Sequence, residues 1–219
     1  LPQFPRTLLW IDEAEASALQ KVISNGFVTE NKFTKSFENS FRDYTASKRV
    51  VAYTNGTLAL YACLKAIGIG HGDEVIVPNL TFVATANAVH MLGATPVFVD
   101  IEYSTFGIDP DLIPLAITSK TKCIVPVHLY GRPCQINQIV SLAKKYNLKV
   151  IEDAAQGVGV RHNGEHMGTL GDMGVLSFYG NKTMTCGEGG LVLTNDDALA
   201  DYCYMLKNHG RMVKGTFVH

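Results

Sequence analysis

Short apolar runs alternate with amphipathic stretches along the chain, and glycine, proline or Asx residues punctuate the alternation. The first amphipathic stretch opens at Asp12, where Glu15 completes a capping box. Leu19, Val22 and Ile23 then share one face, and Gly26 closes the helix. Phe33, Phe37, Phe41 and Tyr44 recur at helical spacing, which predicts a second helix with an aromatic packing stripe. A buried strand follows over 50–53, then the turn Thr54-Asn55-Gly56-Thr57 and a helix over 58–67 ended by Gly68. Further strands are expected at 74–77, 96–99, 122–127 and 149–152. Helices separate them: one opening near Thr81 and ending near Gly93, one starting at Asp109-Pro110, and one over 136–146. Strand-like runs at 174–179 and 190–194 precede a last helix over 198–207, capped by Asn195-Asp196-Asp197.

Such alternation predicts an α/β fold: a three-layer architecture around a mostly parallel central sheet. The runs at 174–179 and 190–194 are joined too briefly for a helical crossover, so one strand is expected to run antiparallel. No repeat, low-complexity tract or linker interrupts the pattern, and 1–219 reads as one domain.

Composition narrows the function classes. A chain of 219 residues with 47% hydrophobic content and a net charge of -1 suits an ordinary globular protein. Its basic residues are scattered among acids, which argues against nucleic acid as a partner. No apolar run is long enough to span a bilayer, and no signal-like segment opens the chain, so a cytoplasmic location and no membrane partner are expected. Five cysteines without a C-x-x-C pair point away from a disulfide framework or a metal site. Cys186, close to Lys182 in sequence, reads as a small buried filler, with partial exposure the alternative. His128, at the end of a strand, reads equally as a structural histidine and as a cleft residue.

The candidate chemistry centres on Lys182, which stands between a strand and the turn Thr185-Cys186-Gly187-Glu188-Gly189-Gly190. An amine at a buried strand edge costs desolvation energy unless it is used, for instance as a Schiff base with a carbonyl cofactor. The alternative is a loop lysine reaching solvent. Upstream, an apolar strand ends on Asp153, and lysine plus carboxylate is the pair that pyridoxal 5'-phosphate requires for its aldehyde and ring nitrogen. The strand-turn-helix at Gly56 and Thr57 forms a possible anion site, a weak signal by itself.

The segments EDAAQG and SFYGNKTMTCGEGG, with TNGTLAL and VPVHLYGRPC in the expected order, resemble the DegT/DnrJ/EryC1/StrS sugar aminotransferase family, nearest its perosamine synthase branch. The resemblance implies the aspartate aminotransferase-like large domain and pyridoxal 5'-phosphate as cofactor. It gives Lys182 the cofactor aldehyde and the proton transfers, and Asp153 the ring nitrogen. Phe82 would stack on the ring, with Ala155 small enough to let the ring lie against it. Gln156 would bond the ring's phenolic oxygen, and Gly56, Thr57 and Ser177 would hold the phosphate. For each residue a structural role competes: core for Phe82, a helix cap for Asp153, a surface position for Gln156, a backbone bond for Ser177.

The implied reaction moves an amino group from glutamate to a nucleotide-linked 4-keto-6-deoxysugar, with GDP-4-keto-6-deoxymannose and O-antigen polysaccharide biosynthesis the nearest guess. The resemblance also implies a homodimer with a shared active site. Relatives with histidine at the lysine position carry out dehydration, so Lys182 favours transamination. A pyridoxal phosphate-dependent dehydratase or lyase, or a non-catalytic regulatory homologue, remains as an alternative. Family members are longer and carry a smaller C-terminal domain. The ending Thr216-Phe217-Val218-His219 therefore reads as the end of a fragment in which 1–219 is the large domain.

Overall fold

The computed structural model describes residues 9–212. Helix α1 (Glu13–Ser24) begins where the capping box predicts: Asp12 accepts from the Ala14 N–H, and Glu15 accepts from the Asp12 N–H, both at 2.8 Å. Its apolar face stays uncovered by the rest of the described chain, with Leu19 and Ile23 exposed. Helix α2 (Lys32–Thr45) instead uses its aromatic stripe, setting Phe37 and Phe41 edge-on against Phe178, each at 5.1 Å between ring centres. That contact clamps the segment from which Lys182 emerges.

The elements that follow are β1 (Arg49–Tyr53), α3 (Gly56–Ala66), β2 (Glu74–Pro78), α4 (Ala84–His90), β3 (Thr95–Val99) and α5 (Ile113–Ala116). After them come β4 (Thr121–Ile124), a single 3-10 turn (Leu129–Gly131), α6 (Ile136–Tyr146) and β5 (Lys149–Asp153). A two-strand hairpin, β6 (Arg161–His162) and β7 (Glu165–His166), precedes β8 (Met173–Ser177), β9 (Gly190–Thr194) and α7 (Asp197–Lys207). Seven strands form one sheet in the order β1-β9-β8-β5-β4-β2-β3. Strand β9 runs antiparallel to both its neighbours, and the other pairings are parallel. This is the expected mostly parallel sheet with one reversed strand.

Side chains alternate across the sheet, so successive residues feed different layers. Val75, Val77, Ile151, Val175 and Val192 pack with Leu60, Leu64, Ala88, Val89 and Ala200 of α3, α4 and α7. Ile76, Ile124 and Val150 face Ile113, Ile136 and Ile139 of α5 and α6. Leu176, Leu191 and Leu193 join Phe41 of α2 on that second face. Both faces are covered, giving three layers. Strands β8 and β9 are buried along their whole length, which explains why they read as continuous apolar runs.

Several local expectations are corrected. Helix α3 starts at Gly56, not Leu58, because Asn55 is the cap: its side chain accepts the Leu58 N–H at 2.9 Å. Asp109-Pro110 opens a turn in which Asp109 accepts from Asp111, and helix α5 begins only at Ile113. Strand β4 stops at Ile124, with Val127 making an isolated bridge to Asp153. The β6–β7 hairpin was not anticipated, although Asn163-Gly164 is a strong hairpin signal and both residues adopt positive φ. Cys186 is exposed, whereas the other four cysteines are buried. Its thiol donates to the Glu188 carbonyl at 3.1 Å within the loop that follows β8. Residues 216–219 lie outside the described residues. Among the described residues, no helix is long and apolar enough to cross a membrane.

His128 is resolved as structural. It is fully buried, takes the Cys134 N–H on Nδ1 at 3.2 Å, and so presents its proton on Nε2 to Glu152 at 2.9 Å. Glu152, equally buried, also accepts the backbone N–H groups of Gly168, Leu170 and Gly171 at 3.0, 2.6 and 2.6 Å. Directly beyond it in the chain, Asp153 points to the opposite side of β5. Glu152→Ala would strand four donors at once, two of them in fully buried contacts. We expect it to destabilise the fold by about 3–5 kcal/mol, as loss of one member of a buried pair does. A chemical denaturation curve measures this, and a loss below about 1 kcal/mol would contradict the hub role.

Candidate active site

Strands β1, β5 and β8 run parallel and deliver their C-terminal ends to one edge of the sheet, where ligand sites of α/β folds gather. Strand β5 ends on Asp153 and β8 on Ser177, while β1 leads through Asn55 into the N-terminus of α3. Close approach of these ends requires two glycines. A Cβ at Gly56 would lie 3.0 Å from the Ser177 Cβ, and one at Gly190 would lie 2.5 Å from the Asn55 carbonyl. Any larger residue would push the helix start away from the strand end. The resulting cradle holds the N–H groups of Gly56 and Thr57, which no carbonyl of the helix can satisfy, next to the Ser177 hydroxyl. Together with the positive end of α3 they suit a phosphate. Ser177 Oγ takes the Tyr179 N–H at 3.4 Å, which leaves its own proton free to donate.

Asp153 is almost fully buried. Its Oδ1 accepts the Ala155 N–H at 3.1 Å and its Oδ2 accepts the Thr85 hydroxyl at 2.8 Å. Lys182 is half-buried in the loop after β8, and its N–H donates to the Tyr179 carbonyl at 2.9 Å. Burial lowers its amine below the ordinary lysine range, and the nearby Asp153 charge opposes part of that shift. The net effect favours the neutral, nucleophilic amine. Gln156 is oriented by its carbonyl, which accepts the Tyr130 N–H at 2.7 Å. Its NH2 group is therefore the end left to donate. Tyr130 adopts φ 55° in the turn that follows His128, a left-handed conformation that aims its N–H inward.

The eight residues singled out from the sequence, Gly56, Thr57, Phe82, Asp153, Ala155, Gln156, Ser177 and Lys182, all line one cleft of about 390 Å³. Phe82 stands on its rim immediately before α4, 66% exposed, so a core role is ruled out for it. Leu60, Val127 and Leu129 add an apolar wall, and Thr81, Tyr179, Asn181 and Glu188 also line the space. Sequence reasoning missed Thr85, which touches Asp153 from behind. Its only signal was a threonine at a buried helix position, and that carries no chemistry until its partner 68 positions away is known. One cleft therefore brings together a helix N-terminus beside a hydroxyl, an aromatic ring on its rim, a buried carboxylate and a lysine whose amine burial depresses.

A model of the DegT/DnrJ/EryC1/StrS aminotransferase family matches residues 10–219. GDP-perosamine synthase of Escherichia coli O157:H7 is 46% identical over 191 residues, covering 87% of this chain and 52% of that one. GDP-perosamine synthase of Caulobacter vibrioides is 49% identical over 179 residues, covering 82% of this chain and 48% of that one. Among solved structures, NtdA from Bacillus subtilis with bound cofactor PMP superposes with a TM-score of 0.87 at 40% identity, over 94% of this chain and 47% of that one. The chain thus spans about half the length of the curated relatives it matches.

Proposed function

The chain belongs to the DegT/DnrJ/EryC1/StrS aminotransferase family, and from this premise we propose that it is the cofactor-binding large domain of a pyridoxal 5'-phosphate-dependent sugar aminotransferase. The reaction we infer moves an amino group from glutamate to a nucleotide-linked 4-keto-6-deoxysugar, GDP-4-keto-6-deoxymannose yielding GDP-perosamine. The observation that carries this reading is the single cleft in which a phosphate cradle, a buried carboxylate and a depressed lysine amine converge. The names of the relatives support the choice of sugar. Their greater length supports a further domain, and a cytoplasmic homodimer that shares its sites completes the proposal.

Pyridoxal phosphate, when bound, supplies an electrophilic aldehyde and a pyridinium ring that stabilises negative charge at an amine-bearing carbon. The cradle of Gly56, Thr57 and Ser177 fits its phosphate, because the absence of a Cβ at Gly56 lets the start of α3 pack directly against Ser177 and brings the free N–H groups beside its hydroxyl. Asp153, acceptor-only when ionised, suits the protonated ring nitrogen. The Gln156 NH2 suits the phenolic oxygen. Phe82 and Ala155 bound the slot on either side, and the apolar wall keeps water from the reacting carbon. Lys182 Nζ, whose burial holds the amine below the ordinary lysine range, would take a proton from that carbon on one side and return it on the other.

Incubation of the holoenzyme with glutamate and GDP-4-keto-6-deoxymannose should yield 2-oxoglutarate and an aminated nucleotide sugar in equal amounts, read by mass spectrometry. Loss of water from the sugar without amine transfer would replace the reading with a dehydratase.

A further inference from the structure

A buried carboxylate needs donors, and those of Asp153 come from an unequal pair. One is local, the Ala155 N–H on Oδ1. The other, the Thr85 hydroxyl on Oδ2, comes from α4, 68 positions away in the chain. A helical threonine commonly returns its hydroxyl to the carbonyl one turn back. Thr85 does not: its proton is committed to Asp153, because an ionised carboxylate only accepts. Thr85 Oγ1 also lies 3.0 Å from Thr81 Oγ1. Since the Thr85 proton is already placed, Thr81 must be the donor in that contact. The chain therefore has one direction, from Thr81 through Thr85 to Asp153, and each hydroxyl polarises the next. Both carboxylate oxygens are pinned from different elements, so the group cannot rotate about its own axis. Thr85 is 1% exposed and reaches no ligand itself. Lys182 is the cation whose charge couples to Asp153; it adds to the field but sets no direction.

We propose that Thr85, backed by Thr81, is a positioning residue that clamps Oδ2 of Asp153 and keeps the carboxylate aimed at the ring nitrogen of the bound cofactor. The inference rests on the pyridoxal phosphate reading above.

The test loads the holoenzyme with pyridoxal phosphate labelled with nitrogen-15 in the ring and compares wild type, Thr85→Val, Thr85→Ser and Thr81→Val by NMR. The isosteric Thr85→Val removes the hydroxyl alone and should lower the proton affinity of the ring nitrogen by about 10- to 100-fold, the range for a hydrogen bond to a charged group. Its resonance should move toward the unprotonated position at a pH where wild type remains protonated, and the cofactor should dissociate more readily. Thr85→Ser should restore both values. A wild-type resonance in Thr85→Val overturns the proposal, and so does a serine variant that behaves like valine, because packing of the methyl group would then explain the site. If circular dichroism finds Thr85→Val unfolded, Thr81→Val decides: a displacement in the same direction but smaller supports the clamp, and none overturns it. Failure of wild type to bind the cofactor would sink the reading of the whole site, an outcome distinct from an unmoved resonance in a loaded variant.

Discussion

Lys182→Ala is expected to reduce amino transfer by about 10,000-fold, the upper range for a positioned proton-transfer group. The expectation follows from the setting of the lysine. Its amine is lowered by burial, faces Asp153 across the cleft, and hangs from a loop held at Phe178 by the α2 aromatics. Cofactor should still bind to the variant, more weakly, through the cradle of Gly56, Thr57 and Ser177. Borohydride treatment of the loaded wild-type protein followed by peptide mapping should leave the cofactor on Lys182. Label on Lys122 or Lys207 would remove the assignment. The sign of the shift has its own check. A lysine held below its ordinary range deprotonates earlier as pH rises, so in the cofactor-free protein Lys182 should react with an amine reagent at lower pH than the exposed lysines.

Asp153→Asn should fold normally and lose activity by roughly 100-fold or more, about 2.7 kcal/mol of transition-state stabilisation. An asparagine carbonyl can still accept the Thr85 hydroxyl, so the local packing survives. What disappears is the negative charge that holds a proton on a ring nitrogen. Steady-state kinetics with a thermal unfolding control separates the two effects. Near-normal turnover would remove the electron-sink role, and unfolding would return Asp153 to a structural one.

The parts of this fold legible in the sequence are those where a local rule and the tertiary structure agree. Continuous apolar runs became the buried strands β8 and β9, and the short link between them required a reversal. The capping box at Asp12 and the period of α6 were likewise local. Failures came where a distant neighbour decides. Asn55 took the cap of α3 because the chain must turn sharply to bring Gly56 against Ser177, a contact across more than a hundred positions. Asp109-Pro110 looked like a helix start, yet the chain there had to make a turn before α5. Cys186 looked like core because free cysteines usually are, but it is exposed in the glycine-rich loop between β8 and β9. In the candidate site, the eight residues were legible because each carries its chemistry in its own side chain or turn. Thr85 was not, since its meaning lies wholly in what it touches.

The position of β1 has a consequence for how the protein is made. Among the described residues it is an edge strand whose sole partner in the sheet is β9, so Arg49–Tyr53 pairs with residues roughly 140 positions later. At ribosomal speeds of about 5–20 residues per second, β1 waits on the order of 7–30 s for that partner. Through this interval Val50, Val51 and Ala52 have no strand to join. The phosphate cradle likewise waits, because Gly56 has no Ser177 or Gly190 beside it. Assembly of this part of the nascent chain is therefore gated from downstream: the cleft cannot take its final form before Gly190–Thr194 clears the ribosome.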